Sequence, residues 1–160
     1  MRFFEDMEVG QRRDVGSFTF TADGIKTFAA QFDPQRFHLD EAEGRNSLFG
    51  GLAASGWHVA SVCMKLIVAD SQRLAQDAAA RGEKVAVWGP SPGFRELRWI
   101  KPVLAGDTVS FASEVESSRA SESRPEWGIL KIRNTGTNQR GELAFSFLAT
   151  AFVPRRNGCS

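Results

Sequence analysis

Ser55-Gly56-Trp57-His58-Val59-Ala60-Ser61-Val62-Cys63-Met64-Lys65-Leu66-Ile67-Val68-Ala69 is the one long run of small and apolar residues in this chain, and it decides the fold. Ser55 is a good helix N-cap, and the pattern continues with a solvated face at Arg73, Gln76, Asp77 and Arg81 until Gly82 supplies a stop. The reading is a helix from Ser55 to about Arg81, the most buried in the molecule. A membrane span is the rival reading. His58, Lys65 and Asp70 break the stretch short of the roughly 18 uncharged residues that a span requires.

Beyond the helix the chain reads as strand after strand: Lys84 to Trp88, Phe94 to Lys101, Thr108 to Ser117, Gly128 to Asn134 and Glu142 to Val153. Alternation is clear in Val109, Phe111, Ser113 and Val115, and again in Leu143, Phe145, Phe147 and Ala149. Ala105-Gly106-Asp107 and Thr137-Asn138-Gln139-Arg140-Gly141 have turn composition, and Ser117 to Arg124 reads as a surface loop. One long helix followed by five strands predicts an α+β domain, an antiparallel sheet wrapped around that helix. The open edges of such a sheet are economically closed by pairing across a two-fold axis, so a homodimer is expected, with a higher assembly left open.

On the N-terminal side, Ser17 to Thr21 reads as a short strand. Thr21 then caps a helix in which Ile25, Phe28, Ala29 and Phe32 recur at helical spacing. Pro34 disfavours helical geometry at Asp33, so the helix should end there. From Asp33 to about Ala54, with Gly44, Asn46, Gly50 and Gly51, the reading is a long ordered loop or lid.

The 160 residues are 42% apolar and 24% charged, which fits a single domain over residues 1–160 with a core of its own. Twenty basic residues against 19 acidic ones provide no long-range field for nucleic acid or anionic lipid. Acids among the first eight residues argue against a secretory signal, so a cytoplasmic setting is expected. Cys63 and Cys159 form neither a metal spacing nor a disulfide framework, and no metal site is expected.

Asp33 and His38 stand five apart, too far for one helical face. A helix end followed by a loop lets the carboxylate and imidazole converge on a shared water. An Asp-Pro turn beside a polar packing histidine is the plainer account of the same residues. With only two histidines in the chain and His58 inside an apolar helix, His38 is the better candidate wherever chemistry needs an imidazole near neutral pH.

These residues resemble the MaoC-like or R-specific enoyl-CoA hydratase branch of the hot-dog fold, whose motif places an Asp, typically Asn-Pro, and a His five residues after the Asp. Asp33 and His38 match at that separation, while Gln35 and Arg36 stand where Asn and Pro usually sit. Leu48 to Ser61 is similar to the family's phenylalanine-containing loop and helix start, with Ser55-Gly56 in place of the common His-Gly. Ser91 to Trp99, Lys101-Pro102 and Gly106-Asp107 resemble its strand, proline and Gly-Asp turn.

The resemblance implies a hot-dog fold and reversible hydration of a trans-2-enoyl thioester by Asp33 and His38 acting on one water. It implies no cofactor beyond coenzyme A as the substrate's carrier, and a place in fatty acid metabolism. Ser55 and Gly56 would hold the thioester carbonyl at the helix N-terminus, where free N–H groups and the helix dipole favour developing negative charge. Phe49, with Phe28, Phe37 and Trp57, would meet the acyl chain. Arg95, Arg98 and Lys101 are read as solvated strand-face charges in preference to a phosphate site. The alternatives are a non-catalytic acyl-thioester binding or regulatory protein, and a thioesterase. Hydrolysis would call for a carboxylate on or beside the central helix, and Ser55 to Ala69 holds none.

Overall fold

In the computed structural model, residues 2–156 are described; Cys159 lies outside them. Strand β1 (Arg12–Thr19) is followed by α1 (Ala22–Phe32), the short helices α2 (Arg36–Leu39) and α3 (Glu41–Asn46), and the long helix α4 (Gly56–Ala80). Four strands complete the fold: β2 (Gly93–Trp99), β3 (Thr108–Ala120), β4 (Trp127–Asn138) and β5 (Leu143–Pro154). All pairings are antiparallel, in the order β1-β3-β4-β5-β2, and this sheet curves around α4 in the expected hot-dog arrangement.

The helix ends obey side-chain chemistry visible in the sequence. Thr21 Oγ1 accepts from Gly24 N–H and Ser55 Oγ from Trp57 N–H, both at 3.2 Å. Arg81 caps α4, and Gly82 follows with φ +74°, the left-handed conformation that glycine takes without a steric penalty. The core is shared between α4 and the concave sheet face. Val59, Val62 and Cys63 pack with Ile25, Val109, Phe111, Phe145 and Phe147. Burial pushes the Cys63 thiol up to about 12, which leaves it an inert packing group.

Several expectations are corrected. Asp33 to Ala54 is not a continuous loop: it holds α2 and α3, each too short to show a periodicity. Asp40 Oδ1 starts α3 by accepting from Ala42 and Glu43 N–H at 2.8 and 2.9 Å. The first strand begins at Arg12, not Ser17; β3 and β4 run on to Ala120 and Asn138, while β2 stops at Trp99 and β5 ends at Pro154. Lys84 to Trp88 forms no strand, because β2 already occupies the free edge of β5. Beyond β2, Gly89 N–H makes one bond to Phe152 O, and Pro90 and Pro92 have no N–H to extend the ladder. Helix α4 is buried along one side only, with Trp57, Met64 and Val68 exposed on the other.

Strand β2 carries a bulge between Arg95 and Arg98, where Glu96 adopts φ +54° and pairs with Arg133 at 2.6 Å. The extra residue changes side-chain parity. Phe94 pairs with Ala149 and Trp99 with Phe145, so two residues an odd number apart both face α4.

Gly44 of α3 lies flush on the segment before α4: a β-carbon there would stand 2.7 Å from Gly51 O and 2.8 Å from Leu52 Cα. Both neighbours are backbone and cannot swing aside. Gly44→Ala should therefore destabilise the protein by about 1–3 kcal/mol, read as a lower midpoint in urea at unchanged slope. An unchanged midpoint would show that α3 is free to lift.

Candidate active site

Asp33 closes α1, leaving helical geometry at φ −154° as Pro34 requires. Gln35 N–H donates to Asp33 O at 2.7 Å and Gln35 O accepts from His38 N–H at 2.9 Å, so one residue joins the acid's turn to the single-turn helix of the histidine. His38 is 5% exposed. Its Nδ1 lies 2.7 Å from the Ala53 carbonyl, and its Nε2 lies 3.4 Å from Asp33 Oδ2. A carbonyl can only accept, so Nδ1 carries the proton. In the neutral ring Nε2 then presents a lone pair toward the carboxylate. The structure thus brings Asp33 and His38 together.

Burial pushes the Asp33 carboxyl up. Hydrogen bonds from Gln35 Nε2, at 2.8 Å to Oδ1, and from the Ser55 hydroxyl, together with the charge His38 carries whenever its ring is protonated, outweigh it and hold the group below the usual carboxylate value. Gln35 is a site residue that sequence reading noted as a departure without assigning it a function. Ala53 was missed outright, since its role is played by a backbone carbonyl that no side chain announces.

Ser55, 1% exposed, sits between Asp33 and the start of α4 and serves both as cap and as donor to the acid. Gly56 does begin the helix, but the space beside it is not open. A β-carbon at position 56 would run into the Trp99 indole, and Trp99 also stands edge-on to Trp57 at 5.4 Å between centroids. The glycine is required first by this close approach. Trp99, which sequence reading left as an ordinary strand residue, walls the helix N-terminus.

The aromatic residues expected around an acyl chain divide into two groups. Phe37 and Phe49 flank His38, at ring separations of 4.6 and 6.2 Å. Phe28 and Trp57, with Phe32 and Ser61, line a groove of about 460 Å³ between α1 and α4. His58 stacks flat on Phe28 at 4.5 Å, and burial depresses its pKa, so it packs as a neutral ring. Arg95 and Arg98 pair with Leu148 and Ser146, on the sheet face opposite Trp99, and Lys101 is bound to Glu142 at 2.6 Å. Asp70, the first carboxylate along α4, is held at 2.7 Å by both Arg13 and Arg73, which removes it as a hydrolytic acid. Among the described residues no group of three or more His, Cys, Asp or Glu gathers to hold a metal, and no helix is long and apolar enough to cross a membrane.

Comparison with known proteins agrees with this fold. An uncharacterized protein of Bacillus subtilis, YdeM, is 26% identical over 151 residues, covering 94% of this chain and 98% of that one. A mesaconyl-CoA hydratase of Cereibacter sphaeroides is 34% identical over 65 residues, 41% of this chain and 19% of that protein. The crystal structure of a MaoC-like dehydratase from Rhodospirillum rubrum superposes with a TM-score of 0.79 at 37% identity, covering 98% of this chain and 99% of that one. The family model of the MaoC like domain matches residues 5–133, and the chain belongs to the MaoC-like domain family.

Proposed function

We propose that this protein reversibly hydrates a trans-2-enoyl thioester, with Asp33 and His38 acting on one water. The observation that carries this reading is the facing of two acceptors, Asp33 Oδ2 and His38 Nε2, at 3.4 Å, with His38 Nδ1 already committed to Ala53. A water placed against both donates one hydrogen bond to each, and its oxygen lone pair is left to point at a substrate carbon. As its O–H bond breaks, a C–O bond forms at the β-carbon, and the π electrons move through the α-carbon onto the carbonyl oxygen. The dyad takes one proton from the water and returns one to the α-carbon, ending unchanged. The N–H groups at the start of α4 favour the developing oxyanion, an effect worth about 2.7–4 kcal/mol for one well-placed donor.

A coenzyme A ester is the substrate class proposed, supported by the mesaconyl-CoA hydratase relative, in a cytoplasmic setting as the sequence suggests. Loss of the conjugated thioester absorbance on mixing with short and medium trans-2-enoyl-CoA, mesaconyl-CoA included, is the direct test. Asp33→Asn and His38→Gln should each lower the rate by about 10²–10⁴-fold with unchanged circular dichroism. Turnover surviving in either variant would remove that residue from the chemistry.

Asp33 acts ionised. Because its folded pKa is depressed, its ionised form and the stability it contributes are fully present above the unfolded value near ~3.9 and fade only as pH falls through the lower folded one. Gln35→Leu removes the donor to Oδ1 and should move the acid limb of the kcat/KM profile to higher pH. An unmoved limb would show that the amide does not tune the acid.

The exposed residues Trp57, Met64, Val68, Phe94 and Trp99 lie on the outer side of α4 and the helix-facing side of the edge strand β2. Together with an unpaired strand edge, this apolar surface suits a second copy placed across a two-fold axis. Light scattering should give about twice the 17.6 kDa chain mass, and Met64→Lys with Val68→Lys should give the single-chain mass. A monomeric parent protein would end the dimer proposal.

A further inference from the structure

At the end of the sheet, far along the chain from the dyad, Asp107 is 7% exposed and makes more hydrogen bonds than its turn requires. Its Oδ2 accepts from Leu104 N–H at 2.9 Å, which closes the turn. Its Oδ1 accepts from Gln139 Nε2 at 2.6 Å and faces the Arg140 guanidinium at 3.4 Å, tying the turn to the β4–β5 connection. Gln139 Oε1 in turn accepts from Thr108 N–H at 3.1 Å. A carboxylate this buried is kept only where donors surround it, and these donors come from two separate connections of the sheet.

The turn so fixed carries the segment that orients His38. Leu104 pairs with Ala53 as an isolated antiparallel bridge, Ala105 N–H donates to Leu52 O at 2.9 Å, and Ala54 N–H donates to Val103 O at 2.8 Å. Residues 52–54 are thereby strapped to residues 103–105, and the Ala53 carbonyl that receives His38 Nδ1 projects from this strap. Ala53 N–H reaches Phe37 O at 3.4 Å, a weak bond, so the 103–105 side is the firmer anchor.

We propose that Asp107, with Gln139 as its partner, is a positioning residue that fixes the Ala53 carbonyl and through it the tautomer and direction of His38. Its meaning for catalysis rests on the hydratase reading above; its effect on the imidazole does not.

The test separates the two. The chain has two histidines, so protein labelled with ¹⁵N-histidine gives two imidazole spin systems, assigned with His38→Gln. The wild-type His38 ring should show the Nδ1–H tautomer. In Asp107→Ala it should shift toward a mixture with Nε2–H, with the His58 signals and circular dichroism unchanged. Hydration kcat should fall roughly ten- to a hundred-fold with KM little altered, as expected for a misaimed catalytic group. The exchanged pair Asp107→Asn with Gln139→Glu restores one donor facing one acceptor and should recover both readouts. A His38 tautomer unmoved in Asp107→Ala, or unrecovered in the exchanged pair, would reduce Asp107 to a turn residue and overturn the proposal. Should Asp107→Ala fail to fold, Gln139→Ala leaves the Leu104 bond in place and must give the same shift in smaller degree, or the proposal falls. A wild-type protein that hydrates nothing, yet shows the tautomer effect, would overturn the hydratase reading alone.

Discussion

The hydrogen bond between His38 Nδ1 and the Ala53 carbonyl is the contact on which the site depends. It settles which ring nitrogen carries the proton, turns the other toward Asp33, and makes the approach to α4 part of the candidate site. A buried imidazole without such an acceptor would be free to flip or to exchange tautomers, and its lone pair would have no fixed direction. The backbone around Ala53 must therefore be held on both sides. Helix α2 lies on one, the turn that Asp107 closes lies on the other, and Gly44 lets α3 press directly on the preceding residues.

Asp33 is held by a different logic. Its carboxylate is taken partly out of water, which alone would favour the neutral acid, and is then given back more than it lost by an amide, a hydroxyl and a neighbouring imidazole. Ser55 serves two structures at once. Its hydroxyl oxygen accepts from Trp57 N–H in the first turn of α4, and the same hydroxyl is among the groups that lower the Asp33 carboxyl.

What the sequence made legible follows from which signals are local. Pro34 announced the end of α1, and Thr21 and Ser55 announced helix starts, because each acts within a few residues of itself. The Asp33/His38 pairing was legible for the same reason, its spacing being set by one turn. Arg36, which departs from the family's usual proline, stands at the first position of α2, where the missing N–H of a proline costs nothing and an arginine is equally at home. Helices α2 and α3 were not read, since one turn has no period, although Asp40 before Glu41 and Glu43 was an available cap signal. Lys84 to Trp88 has strand composition but no free partner, and the bulge at Glu96 changes the facing of β2 in a way that alternation cannot show.

The close approach of Trp99 to Gly56 has an evolutionary consequence. Any residue other than glycine at position 56 must displace the indole, and any smaller residue at position 99 opens space at the start of α4 that position 56 is free to fill. The two sites, 43 positions apart in the chain, constrain each other's substitutions. Homologues should therefore change them as a pair, and a chain with a side chain at the helix start should carry a smaller residue on the edge strand. Such a swap would exchange an aromatic wall supplied by the sheet for one supplied by the helix, and recast the mouth of the site while leaving Asp33 and His38 untouched.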